Sequence, residues 1–257
     1  LPVPPGFVLL RSCYRDSMRA GGVDGELAAL HREALATVAD GARLKDLSER
    51  MQALVHKAGV ESVLRDEVMA AYHALGPHAR VAVRSSATGE DGADASFAGM
   101  NATITNVTGD TELLDAVIRC WASLFSPRVI SYRASRGFTD DPAMAVVVQR
   151  MVDSDKAGVA FTADPSTGAR DRVVIEAAFG LGEVVVSGEV EPDTYVVSKD
   201  TLTPLDVRLG HQKFQIVRGP DGKDMPVDLD DAQADSRVLT DDEIRAIARM
   251  AIAMEDH

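Results

Sequence analysis

Cysteine and long apolar runs are scarce in this sequence, and each scarcity excludes something. The only cysteines among 257 residues are Cys13 and Cys120, too few for a disulfide framework. Neither stands in a CxxC or zinc-ligand spacing, and Cys120 lies among apolar helical residues, where it reads as a small buried hydrophobe. A reduced, cytoplasmic setting is therefore expected. No stretch approaches the roughly 20 apolar residues of a membrane span. The run from Ala143 to Val148 is far too short, and no charged-then-apolar leader is seen at the start. Several catalytic signatures are missing as well: GxxxxGK[ST], GxGxxG, HExxH, the kinase HRD and the nucleophile elbow.

What is present is an ordinary globular balance, 46% hydrophobic and 26% charged. The length suffices for one large domain or two lobes with a real core. The net charge is 27 − 40 = −13, which argues against nucleic acid or an anionic membrane as partner. The charge is uneven. Residues 219–257 hold four Lys/Arg and eleven Asp/Glu, or −7 of the total. The acidity thus belongs largely to a tail, and it leaves room for an anionic small molecule met by local cations.

Periodicity divides the chain into a helix-rich front, 1–142, and a strand-rich back, 143–257. Phe7 to Leu10 reads as a strand, residues 26–75 as helices, and Val81–Val83 as a short strand ending at Arg84. Gly89 to Gly99 reads as a Gly-rich flexible loop. Asp110 is read as the N-cap of one helix, and Ser126 with Pro127 as the start of the next. Strands are expected over 144–152, 158–162, 172–177, 194–198 and 207–217. Thr240 and Glu243 form a capping box for the last helix. His31, His56, His73 and His78 are expected at the surface, and His211 stands without a metal partner at ligand spacing.

Arg84 is the residue that most suggests chemistry. An Arg leaving a strand into Ser85, Ser86 and a Gly-rich stretch can offer a guanidinium fork and many N–H groups to phosphate oxygens. The plainer reading is a strand-to-loop turn with Arg84 paired to Glu90, Asp91 or Asp94.

The strings around it resemble a known family. They are Val-Arg-Ser-Ser-Ala-Thr-x-Glu-Asp (83–91), Ala-Ser-Phe-Ala-Gly (95–99), Ala-Ser-Leu-Phe (122–125) and Val-Gln-Arg-Met-Val (148–152). Gly-Val-Ala-Phe-Thr (158–162), Gly-Leu-Gly-Glu (180–183) and Glu-Pro-Asp-Thr-Tyr-Val-Val (191–197) follow in order, after Val-Pro-Pro-Gly-Phe (3–7) at the start. Together they resemble the N-terminal ATP-binding domain of the phosphoenolpyruvate synthase and pyruvate phosphate dikinase family, which includes rifampin phosphotransferase.

The resemblance implies an α+β ATP-grasp fold, with the two lobes holding ATP between them. It implies a catalytic contact of Arg84 with the ATP phosphates. It places Gly99 and Thr103 on the strand side of the nucleotide pocket. It places Gln149, Met151 and Val152 at the hinge beside the adenine edge, and Glu183 in the pocket. Lys213 in Gly-His-Gln-Lys matches a family stretch more loosely. Each also has a plainer reading: core strand, loop carboxylate or exposed Lys. Mg²⁺ is implied as well, with its ligands expected outside this chain. So are a phosphohistidine domain and an acceptor domain on the same full-length protein. The chain opens at Leu1 and stops at His257, and both ends are expected to continue into something longer. A phosphoenolpyruvate-synthase-like phosphotransferase is the leading expectation. The alternatives are a rifampin-type antibiotic phosphotransferase and a nucleotide-binding protein without turnover.

Overall fold

The computed structural model describes residues 2–87, 91–92, 95–96, 102–219 and 222–257. The chain is mixed helix and sheet, and it divides into two compact units. One spans Val3–Met151. The other spans Val152–His257 with the first two residues.

The first unit runs β1 (Gly6–Leu9), α1 (Arg11–Ala20), α2 (Asp24–Ala36), α3 (Gly41–Ala58), α4 (Ser62–Ala74), β2 (Val81–Ala87), β3 (Asp91–Gly92), β4 (Ala95–Ser96), β5 (Thr103–Val107), α5 (Asp110–Ser123), α6 (Pro127–Ser135) and β6 (Met144–Arg150). Four strands form an antiparallel sheet in the order β1-β6-β2-β5. One face of it is apolar and fully covered. Leu9, Val81, Val83, Val146 and Val148 are buried there, at 2% exposure or less. Helices α1 and α5 pack on the sheet, and α3 packs behind them. Their contribution to the core includes Met18, Met51, Leu113 and Trp121. Burying each such side chain is worth about 1.5–3 kcal/mol.

The second unit runs β7 (Lys156–Phe161), β8 (Arg172–Phe179), α7 (Glu183–Ser187), β9 (Asp193–Ser198), β10 (Pro204–Arg208), β11 (Phe214–Arg218), β12 (Asp224–Asp228), α8 (Asp231–Ala234) and α9 (Asp241–Glu255). Its sheet has the order β10-β9-β8-β7, and β11 and β12 form a hairpin beside it. Helix α9 covers one face, where Ile244 and Ala248 meet Val173, Ile175, Tyr195 and Val197.

Several local expectations shift. Strand β2 continues past Arg84 to Ala87, because β6 supplies partners for Ser85, Ser86 and Ala87 as well. Arg84 is therefore mid-strand, not at a strand end. Gly109, not Asp110, caps α5, and the Asp110 carboxylate takes a 2.8 Å bond with His73 Nε2 instead. The stretch 207–217 is not one strand. It breaks at Gly210, whose N–H donates to Asp193 Oδ1 and where an added Cβ would meet Glu191 O at 2.0 Å. Helix α1 carries no capping side chain and was not signalled by the sequence. The compact units divide after Met151, and β6 lies in the first unit's sheet, although its β-rich composition groups it with the back part.

Candidate functional site

The site begins with the uncovered face of the first sheet. Side chains alternate along a strand, so Val81, Val83, Val146 and Val148 point into the core while their neighbours point away. The register then places Val8, Val147, Arg84 and Thr103 in one row across β1, β6, β2 and β5. The adjacent row holds Gly6, Gln149 and Ala82. Arg84 and Thr103 are exposed, Val8 is 51% exposed, and Val147 and Gln149 are half-buried.

Two local devices set this register. Between Val81 and Val83 the pairing with β5 slips by a bulge, and Asn106 in that stretch adopts a left-handed φ of 59°. Asn tolerates that conformation better than most residues. The bulge allows Val81 to face Val107 while Arg84 still faces Thr103. At the other edge, a Cβ on Gly6 would meet Val148 O at 2.4 Å, so only glycine lets β1 approach β6 this closely.

The end of β6 is held by the proline entry. Arg150 N–H donates to Pro5 O, and Gln149 Nε2 donates to Pro4 O at 3.3 Å. Met151 N–H donates to Arg80 O at 2.8 Å. Prolines lack N–H groups, so this entry segment acts mainly as an acceptor for its neighbour. The Gln149 amide nitrogen is thus committed to the backbone, while the half-buried Met151 ends the unit.

The remaining expected residues fall elsewhere. Gly99 lies outside the described residues. Val152 is 56% exposed and opens the second unit. Glu183 is the exposed first residue of α7, after Gly182. Lys213 is exposed just before β11, and its carbonyl accepts from Leu229 N–H at 2.9 Å. The fold thus brings Arg84, Thr103 and Gln149 onto one face, and it places Val152, Glu183 and Lys213 in the other unit.

Sequence reasoning passed over Val8, which extends the row at the sheet edge. It also passed over Arg80, whose Nη1 is buried without a hydrogen-bond partner among the described residues. Nothing local marks either one, because each owes its place to pairing across the sheet.

Chemically, the face joins the half-buried Val147 to a guanidinium and a hydroxyl. No ion pair of Arg84 occurs among the described side chains; those of Glu90, Asp91 and Asp94, its alternative partners, lie outside them. No group of three or more His, Cys, Asp or Glu that could hold a metal ion occurs among the described residues.

Comparison with known proteins gives consistent findings. Residues 1–257 match the family described as pyruvate phosphate dikinase, AMP/ATP-binding domain. The chain is 41% identical over 262 residues to the probable phosphoenolpyruvate synthase of Archaeoglobus fulgidus, covering 100% of this chain and 34% of that protein. It is 39% identical over 265 residues to the probable phosphoenolpyruvate synthase of Methanocaldococcus jannaschii, covering 22% of that protein. It is 36% identical over 289 residues to the phosphoenolpyruvate synthase of Aeropyrum pernix, covering 35% of it. The chain therefore spans about a third or less of these relatives.

Proposed function

The chain belongs to the pyruvate phosphate dikinase AMP/ATP-binding domain family, and from that premise we propose that it binds ATP for a phosphoenolpyruvate-synthase-type phosphotransferase. In this reading its architecture is ATP-grasp, and the phosphoryl group passes from ATP to a histidine on another domain of the same protein. A nitrogen of that imidazole forms the new N–P bond as a P–O bond of ATP breaks. An acceptor domain then receives the group. The lengths of the relatives support such further domains. The free thiols Cys13 and Cys120 are in keeping with a reduced, cytoplasmic setting. None of the described helices is long and apolar enough to cross a membrane.

The observation that carries the reading is the row of Val147, Arg84 and Thr103 on the open sheet face. Phosphoryl transfer needs little covalent help from protein groups; it needs positioning and charge. An Arg carried on a strand paired on both sides starts from a fixed backbone, and its fork can meet two phosphate oxygens. The hydroxyl of Thr103 beside it can bond a further oxygen. Gln149, Met151, Val152 and Glu183, and Gly99 with them, complete the proposed nucleotide contacts, with Lys213 as a further cation.

The test is nucleotide binding by the protein with its flanking segments present. ATP with Mg²⁺ is expected to raise Tm in a saturable way, and acid-labile phosphoryl label from ATP is expected on a histidine. Absence of any ATP-dependent rise in Tm would overturn the reading.

A further inference from the structure

The first unit also holds a cavity of about 290 Å³, lined from α1, α2 and the segment before β6. None of its lining residues belongs to the sheet face described above. His31 of α2 stands in its wall at 1% exposure, although the sequence placed it on the surface. The helical spacing of Leu27, Leu30, His31 and Ala34 on one buried face explains the burial.

Neither ring nitrogen of His31 has a hydrogen-bond partner among the described residues. Buried polar atoms are almost always satisfied, so an imidazole with both nitrogens unpaired beside a cavity points to a missing partner. Burial first, and the Arg133 cation next, push this imidazole down to about 4. It is therefore neutral near pH 7 and offers one donor and one acceptor. The Arg133 guanidinium is itself engaged by Asp140 through its backbone and side-chain oxygens.

The rest of the cavity narrows the ligand. Met18, Leu27 and Phe125 make its walls apolar, and Phe125 meets the His31 ring edge-on at 6.1 Å. The exposed lining charges, Arg15 and Arg19 against Asp24 and Asp141, are two of each sign, and Arg19 is paired with Asp16 beside the cavity. An ion seated among Met18, Leu27 and Phe125 would lose its hydration without a counter-charge in contact. The volume lies at the small end for ligand sites.

We propose that this cavity is a second small-molecule site, taking a flat, uncharged aromatic ring with a neutral amide-type hydrogen-bonding group, anchored by one ring nitrogen of His31. Its residues are separate from the nucleotide face, so it stands whether or not that face binds ATP.

Benzamide is a probe of this class, and benzoate and benzamidinium are its charged isosteres. Histidine-ring ¹⁵N NMR of the protein should show a saturable benzamide-dependent shift at His31. Benzoate and benzamidinium should bind about tenfold more weakly or worse. Ala28 lines the same cavity, and Ala28→Leu fills space there. That variant should keep its Tm and weaken benzamide about tenfold or more. His31→Phe should remove the preference for benzamide over benzoate; if it does not fold, Ala28→Leu decides. No saturable shift at His31, equal binding of the three probes, or binding unmoved by Ala28→Leu would overturn the proposal.

Discussion

The Tyr195 hydroxyl donates a 2.6 Å hydrogen bond to Asp193 Oδ2 and accepts one of 3.0 Å from Leu239 N–H. Asp193 accepts two more bonds, from Val238 N–H and from Gly210 N–H. Both side chains are buried, at 0% and 3% exposure. This pair on β9 therefore ties down the approach to α9 and the bend that separates β10 from β11. Burial, and then the Asp193 carboxylate, push the phenol up to about 12, so it stays a donor across ordinary pH.

That network predicts unequal costs for its members. Asp193→Ala strands two backbone N–H groups and the phenol at once, and should cost about 3–5 kcal/mol. Tyr195→Phe strands fewer, and should cost about 1–2 kcal/mol. Urea denaturation of the two variants checks the order. Equal losses would show that the carboxylate is not the centre of the network.

The start of α9 predicts an acid dependence. Glu243 accepts from the Thr240 backbone and hydroxyl and from Lys156 Nζ at 2.9 Å. The Thr240 backbone bond first, and Lys156 next, pull its carboxyl from 4.5 down to about 2. Its folded-state value is lowered, so the stabilisation is present above the unfolded value and fades as pH falls from about 4.5 to about 2. The carboxylate is 42% exposed, so the effect is screened and small. Glu243→Gln should flatten stability over that window and leave the slope elsewhere unchanged, read from Tm at stepped pH. A wild-type slope preserved in Glu243→Gln would remove Glu243 as its source.

What the sequence made legible was local. Ser126 accepts from Val129 N–H, and Thr240 and Glu243 close their capping box. Each of these needs only residues a few positions apart. The sheet order β1-β6-β2-β5 pairs Gly6 with Gln149, a contact that no local pattern encodes. The motif strings around Arg84 and Gln149 fall on the paired strands β2 and β6. That both side chains share one face with Thr103 follows only from the register. His31 shows the reverse case: its helical spacing was readable, but a polar residue type outweighed the spacing.

Two glycines separate the cost of conformation from the cost of crowding. Gly188 has φ +71° with nothing within 4 Å of a built Cβ, so Gly188→Ala should cost only the left-handed penalty, about 1–2 kcal/mol. Gly180 has φ +85°, and a Cβ there would sit 2.5 Å from Ile216 O. That oxygen already accepts from Leu181 N–H at 2.8 Å, so it cannot retreat without losing a bond. Gly180→Ala should cost about 3 kcal/mol or more. Thermal denaturation of both variants checks the difference, and equal shifts would mean that the β11 backbone yields freely.

Arg84 makes the sharpest test of the open sheet face, because its side chain is exposed while its backbone is fully paired. Truncation should leave the fold intact: Arg84→Ala loses no buried contact and should change Tm by only a degree or two, since exposed substitutions cost about 0.5 kcal/mol or less. If the guanidinium meets phosphate oxygens, the same variant should weaken ATP about tenfold to a hundredfold, the worth of one charge-assisted pair. Arg84→Lys keeps the charge but not the fork, and should recover part of that loss. Thr103→Val, the cross-strand neighbour, should weaken ATP less, about fivefold, because a neutral hydroxyl bond is worth less. Adenosine, which lacks the phosphates, should bind wild type and Arg84→Ala alike. An Arg84→Ala protein that folds normally and binds ATP as tightly as wild type would remove Arg84 from the site.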